Sequence, residues 1–294
     1  MILIATCNDY PHPTPNLAAL LKALESLGLS ATHHPWKQTA PKVFADAEAV
    51  LPLCCWDYHD DPARFENWIG DLEARGARLF NPPAMLRWNL RKTYLLEMAE
   101  AGLAVPRTFH LPDANHRAVE ERMQQEGWQS AVLKPASGQS GHGVRKVERA
   151  DNTWPVDAVK RDALLQEFQP DISDLGETTL TFIDGVFSHA VRRILKAGEW
   201  RANEQHGITP ERVDVSPEVI AAASRYLALL PETPLYARVD GLARADGFML
   251  MELELIEPYL YCEFAPGSAE NFAAAFARRL NRQSPSQAVS GSRS

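Results

Sequence analysis

The chain has 294 residues, 45% hydrophobic and 23% charged, enough for two or three subdomains with cores of their own. Thirty basic against 38 acidic residues leave a net charge of −8, which removes the electrostatic basis for non-specific nucleic-acid binding. The four cysteines, at 7, 54, 55 and 262, are too few and too scattered for a disulfide framework. The opening "MILIATC" lacks a basic leader, and no run approaches the ~18 apolar residues of a membrane span, so a cytoplasmic protein is expected.

In chain order, "ILIATC" (2–7) reads as a buried strand, and leucines at 17, 20, 21, 24 and 27 repeat at helical spacing until Gly28. A second apolar run, "AVLPLC" (49–54), precedes an amphipathic helix carrying Phe65, Trp68, Ile69 and Leu72. This alternation predicts a small parallel α/β domain to about residue 85, without the GxGxxG dinucleotide fingerprint. "WNLRKTYLLEMAEAGLAVP" (88–106) predicts one helix ending at Gly102. Strand patterns then dominate, among them "SAVLKPASG", "GVRKVE", "ALLQEFQ" and the hairpin "TTLTFIDGVFSHAV" turning at Asp184-Gly185. Helices are expected at 115–127, 216–230 and 268–280, and "RQSPSQAVSGSRS" (282–294) reads as a disordered polar tail.

Three segments can carry chemistry. In "MLMELELIE" (249–257) strand alternation puts Glu252 and Glu254 on one face, ~7 Å apart, with Met251, Leu253 and Leu255 toward the core. With Asp240 on a neighbouring strand they offer hard oxygens for Mg²⁺, although a solvated strand face with incidental acids fits the spacing equally. In "VLKPASGQSGHGV" (132–144) Lys134 closes an apolar strand before a loop of Ser137, Gly138, Gln139, Ser140 and Gly141. Such a loop wraps phosphates or forms a plain turn, and neither the Walker A pattern nor a nucleophile elbow is present. In "AVRRILKAGEWRANEQHG" (190–207) Arg192 and Arg193 fall on opposite strand faces, and Arg201 beside Asn203 is the better anion-binding candidate. Cys54 reads as core and His59 as an exposed residue, while Trp56-Asp57-Tyr58 follows a parallel strand, where open sheets bind ligands or are capped by aromatics.

Taken in order, "NLRKTYLLEMAEAGLAVP", "VLKPASGQSGHGV", "LLQEF", "GETTLTFIDGVFSHAVRR", "EWRAN", "YARVDG" and "MELE" resemble the ATP-grasp superfamily over about residues 1–280. Within it the chain is similar to glutathione-synthetase and RimK-like ligases. "CCWDYHDDPARFENWI", "LFNPPAMLRWNLRKTYL" and "ELELIEPYLY" carry a closer likeness, to a bacterial group that includes the O-ureido-serine cyclo-ligase of cycloserine biosynthesis.

The resemblance implies an ATP-grasp fold: a parallel α/β domain (1–85), a linker helix (86–105) and two α+β subdomains (106–168 and 169–281) that sandwich ATP. It implies ATP phosphates on Lys92 and Lys134 under the loop 137–143, and adenine read by a hinge of Gln166, Glu167 and Phe168, with backbone groups from Glu167 and Phe168. Mg²⁺, with Mn²⁺ as an alternative, falls to Asp240, Glu252 and Glu254, and the acyl-phosphate region to Arg201, Asn203 and Arg192 or Arg193. Asn8, Trp56, Asp57 and Tyr58 are expected at a small amino-acid-like substrate. Arg91, His206 and Glu254 depart from the common family residues Asp, Gly and Asn.

The implied activity is carboxylate–amine ligation through an acyl phosphate, by intramolecular cyclisation or onto a separate amine. A nucleotide binder without turnover is the remaining alternative. A homo-oligomer is compatible with the sequence, and neither nucleic acid nor membrane is an expected partner.

Overall fold

The computed structural model describes residues 1–9, 12–139, 141–149, 162–245 and 247–282. The proposed tail and Ser140 therefore fall outside the described residues, apart from Arg282 at the end of the last helix.

The chain opens with a three-stranded parallel sheet in the order β2–β1–β3, built from β1 (Ile2–Thr6), β2 (Ala31–Pro35) and β3 (Ala49–Cys54). Alternation along β1 sends Ile2 and Ile4 to one core and Leu3 and Ala5 to another. Helix α1 (Pro15–Ser26), capped by Thr14, covers the first face through Leu17, Leu20 and Leu24, helped by α9 (Ser268–Arg282). After α2 (Pro41–Ala45), α3 (Pro62–Ala74) covers the second face with Phe65, Trp68, Ile69 and Leu72. Coverage on both faces is why these strands read as continuous apolar runs.

Two helices follow where the sequence suggested one: α4 (Pro83–Asn89) and α5 (Tyr94–Glu100). Tertiary contacts cause the break. Asn89 donates to the Leu253 carbonyl and accepts from the Leu255 amide, both at 2.9 Å, and the Lys92 amide donates to the Ala136 carbonyl at 2.7 Å. The interruption turns Lys92 inward, where it is 9% exposed.

A four-stranded antiparallel sheet, β4–β7–β5–β6, comprises β4 (Thr108–Leu111), β5 (Ser130–Pro135), β6 (Arg145–Glu148) and β7 (Ala163–Glu167). Helix α6 (His116–Glu126) packs Val119 and Met123 on it, between an Asn115 cap and a left-handed Gly127. After a short α7 (Ile172–Leu175) comes a five-stranded antiparallel sheet, β10–β9–β8–β11–β12, made of β8 (Glu177–Ile183), β9 (Val186–Ile194), β10 (Thr209–Val213), β11 (Tyr236–Arg244) and β12 (Gly247–Glu254). Asp184 and Gly185 both take positive φ, the turn expected for the β8–β9 hairpin.

One face of this sheet packs Leu180, Val239 and Leu253 against α5 and α8 (Pro217–Ala228). The opposite face carries Glu177, Thr179, Arg193, Asp240 and Glu252, all polar. A bulge between β11 and β12 pairs Asp240 with Glu252 but Gly241 with Leu250, leaving Met251 as the extra residue. Met251 therefore leaves the core it was expected to join and reaches the polar side beside Glu252. The bulge requires glycine at 241, because a Cβ there would meet the Met249 carbonyl oxygen at 2.2 Å. Among the described residues no helix is long and apolar enough to cross a membrane. All four cysteines are buried thiols.

Candidate active site

The four- and five-stranded sheets flank an open cleft. Lys92, Lys134, Gly138, Gln139, Gly141, Gln166 and Phe168 line it, so most of the expected nucleotide residues converge. Ser137 and Glu167 do not form its wall, and the Glu167 amide is already donated to the Arg107 carbonyl at 2.8 Å. Gly141, at φ +69°, lies so close to Asn203 that a Cβ would meet its side-chain oxygen at 2.6 Å, which fits the loop against the far wall.

Lys134 donates to Gln166 Oε1 at 3.0 Å, and Gln166 donates in turn to Thr108 Oγ1 at 2.8 Å, fixing the ammonium at the end of β5. Burial, then the neighbouring Lys92, pushes Lys134 down to about 8. Lys92 pairs with Glu252. Burial disfavours charge on both partners, but their mutual attraction outweighs it, so Lys92 lies above and Glu252 below its ordinary value.

A relay of charge runs across the polar sheet face. Arg193 donates to Glu177 and to Asp240 Oδ2, both at 2.6 Å; Arg238 donates to Asp240 and pairs with Glu254. Asp240 also accepts from Thr179 Oγ1 at 2.9 Å. Burial would raise the Asp240 pKa, but the two arginines overcome it and hold the group at about 2. For Glu177 and Glu254 burial wins and pushes each up to about 7.

The three carboxylates thus share one face, Glu252 and Glu254 by alternation and Asp240 through the pairing of β11 with β12, and all three stand in ion pairs that the sequence did not foresee. Asp240 is clamped by arginines on both oxygens, whereas among the described residues Glu252 and Glu254 each accept through one oxygen. Among the described residues no group of three or more His, Cys, Asp or Glu is arranged to hold a metal ion. The donor chemistry still suits a hard cation at Glu252 and Glu254, with Asp240 serving the arginines.

A second, open pocket adjoins the first and reaches the N-terminal sheet through Asp9, Thr14, Trp56 and His59. Its other wall includes Arg193, Arg238, Glu254, Glu257, Tyr259 and Tyr261. Gln139, His142, Arg193 and Asn203 line both pockets.

Several expectations change here. Of the four residues expected at the substrate, Trp56 alone lines this pocket. Asp57 is buried and accepts from Trp36 Nε1 and Lys37, Tyr58 packs on Phe65, and Asn8 is exposed outside the lining. The single 3₁₀ turn at Tyr58–Asp60 after β3 drives this, because it folds Tyr58 back into the N-terminal core with Asp57 at its start. Of Arg192 and Arg193, it is Arg193, 5% exposed, that takes the inward position, and Arg192 lies on the opposite face. Arg201 lines the first cleft with its charge engaged by Glu199 at 2.8 Å. His59, expected to be exposed, is half-buried and stacks on His142 at 4.6 Å. Arg238, Glu177 and Glu257 were not singled out. Arg238 carried a usable signal, since it lies two residues before Asp240 and so on the same strand face.

Residues 2–81 match the family model for the N-terminal domain of D-cycloserine synthetase DcsG, and residues 105–260 match the ATP-grasp domain of prokaryotic glutathione synthetase. The cycloserine biosynthesis protein DcsG of Streptomyces lavendulae is 28% identical over 291 residues, spanning 92% of this chain and 94% of that protein. Glutathione synthetase of Prochlorococcus marinus is 26% identical over 251 residues, spanning 80% of this chain and 76% of that protein. The crystal structure of D-cycloserine synthetase DcsG superposes with a TM-score of 0.84 at 26% identity, covering 95% of this chain and 99% of that one.

Proposed function

Because the chain belongs to the prokaryotic glutathione synthetase ATP-grasp family and is an ATP-dependent carbon–nitrogen ligase, we propose that it cyclises a small amino-acid derivative. The carboxylate oxygen attacks the γ-phosphorus of ATP and ADP leaves. A nitrogen of the same molecule then attacks the acyl carbon, its proton passes to solvent, and phosphate leaves with the C–O bond electrons. The observation that carries this reading is the meeting of the two pockets at Arg193 and Asn203, where a phosphate end and a carboxylate end would abut. Cyclisation is favoured over ligation to a second amine by likeness to DcsG across both domains. The likeness to glutathione synthetase supports the second reading.

In this reading Lys92 and Lys134 neutralise the phosphates, with Lys134 aimed by Gln166. Arg193, held by Glu177 and Asp240, faces the charge that builds on the transferred phosphoryl and on the tetrahedral oxyanion. Glu252 and Glu254 would hold Mg²⁺, whose chemistry is to screen the β- and γ-phosphate charge. The glycine loop closes over the phosphates and excludes water from the acyl phosphate.

The test is ADP and phosphate release with Mg-ATP across amino acids and O-substituted serines, singly and in pairs, with product masses. We expect release with one compound alone and a product without a second substrate. Release only with pairs would replace cyclisation by intermolecular ligation, and silence across the panel would count against the amino-acid substrate class.

A further inference from the structure

Residues 253–257 are pinned from outside their own strand. Asn89 and Tyr94 bond the Leu253 and Leu255 backbone, Asn81 donates to the Leu255 carbonyl at 2.9 Å, and Tyr236 donates to the Ile256 carbonyl at 3.0 Å. The indole of Trp56 donates to the Glu257 carbonyl at 2.8 Å. This scaffold fixes Glu257, 5% exposed, in the wall of the second pocket.

The Glu257 carboxylate is unlike the other acids of the site. Glu252 pairs with Lys92, Glu254 and Asp240 with Arg238, and Glu177 with Arg193. Among the described residues no donor is hydrogen-bonded to the Glu257 side chain and no cation pairs with it. A buried acid without a counter-charge is costly, and an incoming cation relieves that cost. Trp56, Tyr259 and Tyr261 share the pocket, with ring centroids 6.5 and 5.0 Å apart along the row, and such ring faces favour an ammonium. Arg193 at the junction with the nucleotide cleft supplies the opposite pole.

We propose that Glu257 selects the substrate by receiving the cationic nitrogen of an amino acid whose own carboxylate is activated at the Arg193 end of the pocket. The proposal rests on the ligase reading and adds to it the residue that distinguishes an amino acid from a plain carboxylic acid.

The test compares wild type with Glu257→Gln, both loaded with Mg²⁺ and a non-hydrolysable ATP analogue. Each is titrated calorimetrically with small amino acids and O-substituted serines of both hands, and with the matching hydroxy acids. Wild type should prefer at least one amino acid to its hydroxy acid by about 30-fold or more, the scale of a buried charge pair. Glu257→Gln should lose that preference while keeping its affinity for the nucleotide analogue and a melting temperature no lower than wild type. A preference that survives in the variant would overturn the proposal. So would a wild type that binds the analogue but none of the amino acids, or that binds both series equally. Phosphate release with ATP is measured in parallel. Selective binding without release from any single compound would remove the cyclisation reading and leave the role of Glu257 standing.

Discussion

The nucleotide cleft and the second pocket share a wall at Arg193 and differ in charge. The cleft is lined by Lys92, Lys134, Arg193 and Arg201 against Glu177 and Glu252, a cationic excess suited to a polyphosphate. The second pocket sets Arg193 and Arg238 against Asp9, Glu254 and Glu257, a mixed lining suited to a ligand with both signs of charge. The two also differ in construction. The cleft draws on the ends of β5, β7 and β9, two loops at 138–144 and 200–203, β12 and Lys92, whereas the pocket also takes in the segments after β1 and β3, β11 and the segment beyond β12. Charge excess makes the cleft vulnerable to loss of a single cation, and dispersed construction makes the pocket vulnerable to loss of its supports.

The largest effect should come from Lys134→Ala, which removes one pole of the cleft. ADP formation is expected to fall about 10²–10³-fold, as when one preorganised donor is deleted, while substrate binding in the second pocket is retained. Titration sharpens the point. Lys134 is a cation below about 8 and neutral above it, so kcat/KM for ATP, which reports the free enzyme, should decline as pH rises through that value. In Lys134→Arg the guanidinium stays charged and this decline should disappear. A pH profile unchanged between wild type and Lys134→Arg would remove Lys134 from the titration.

Next in size is Asn81→Ala, which attacks the supports. Asn81 is 1% exposed, donates to the Tyr236 and Leu255 carbonyls at 2.9 Å and accepts from the Leu235 amide at 2.6 Å. Losing the amide orphans three buried backbone groups and should cost about 2–4 kcal/mol, read as a lowered denaturant midpoint. The KM for the amino-acid substrate should rise with the KM for ATP unchanged. Parallel rises in both would mean that the two pockets are not mechanically separate.

The same contrast explains what was legible in the sequence. Lys134 announces itself because a strand end and its loop are contiguous, Gln166 and Phe168 are implied only by the family resemblance, and period-two alternation put Glu252 and Glu254 on one face, beside which the pairing of β11 with β12 sets Asp240. Alternation says nothing of partners across the sheet, so the arginine clamp on Asp240 and the inward turn of Arg193 required the pairing of β8, β9 and β11. The break at Leu90–Thr93 is set by contacts distant in the chain, Asn89 with Leu253 and Lys92 with Ala136, and the bulge at Met251 by the pairing of β11 with β12 around Gly241. Strands β2 ("ATHHP") and β10 ("TPERV") went unmarked because edge strands carry few apolar residues.

The smallest effect lies at the seam between the two regions. His142 of the glycine loop stacks on His59 with an interplanar angle of 29°, and Gln139 donates to the Trp56 carbonyl, so the loop that covers the cleft also touches the N-terminal sheet. A stacked ring pair contributes about 0.5–1.5 kcal/mol beyond its buried area. His142→Ala should therefore shift loop closure only about threefold, leaving nucleotide affinity and kcat near wild type. The sensitive readout is coupling, because a loop that opens more often admits water to the acyl phosphate. Phosphate release should come to exceed product formation in His142→Ala while the two stay equal in wild type. Equal stoichiometry in both would mean that the histidine stack does not hold the loop during turnover, and that closure rests on Gly141 against Asn203 instead.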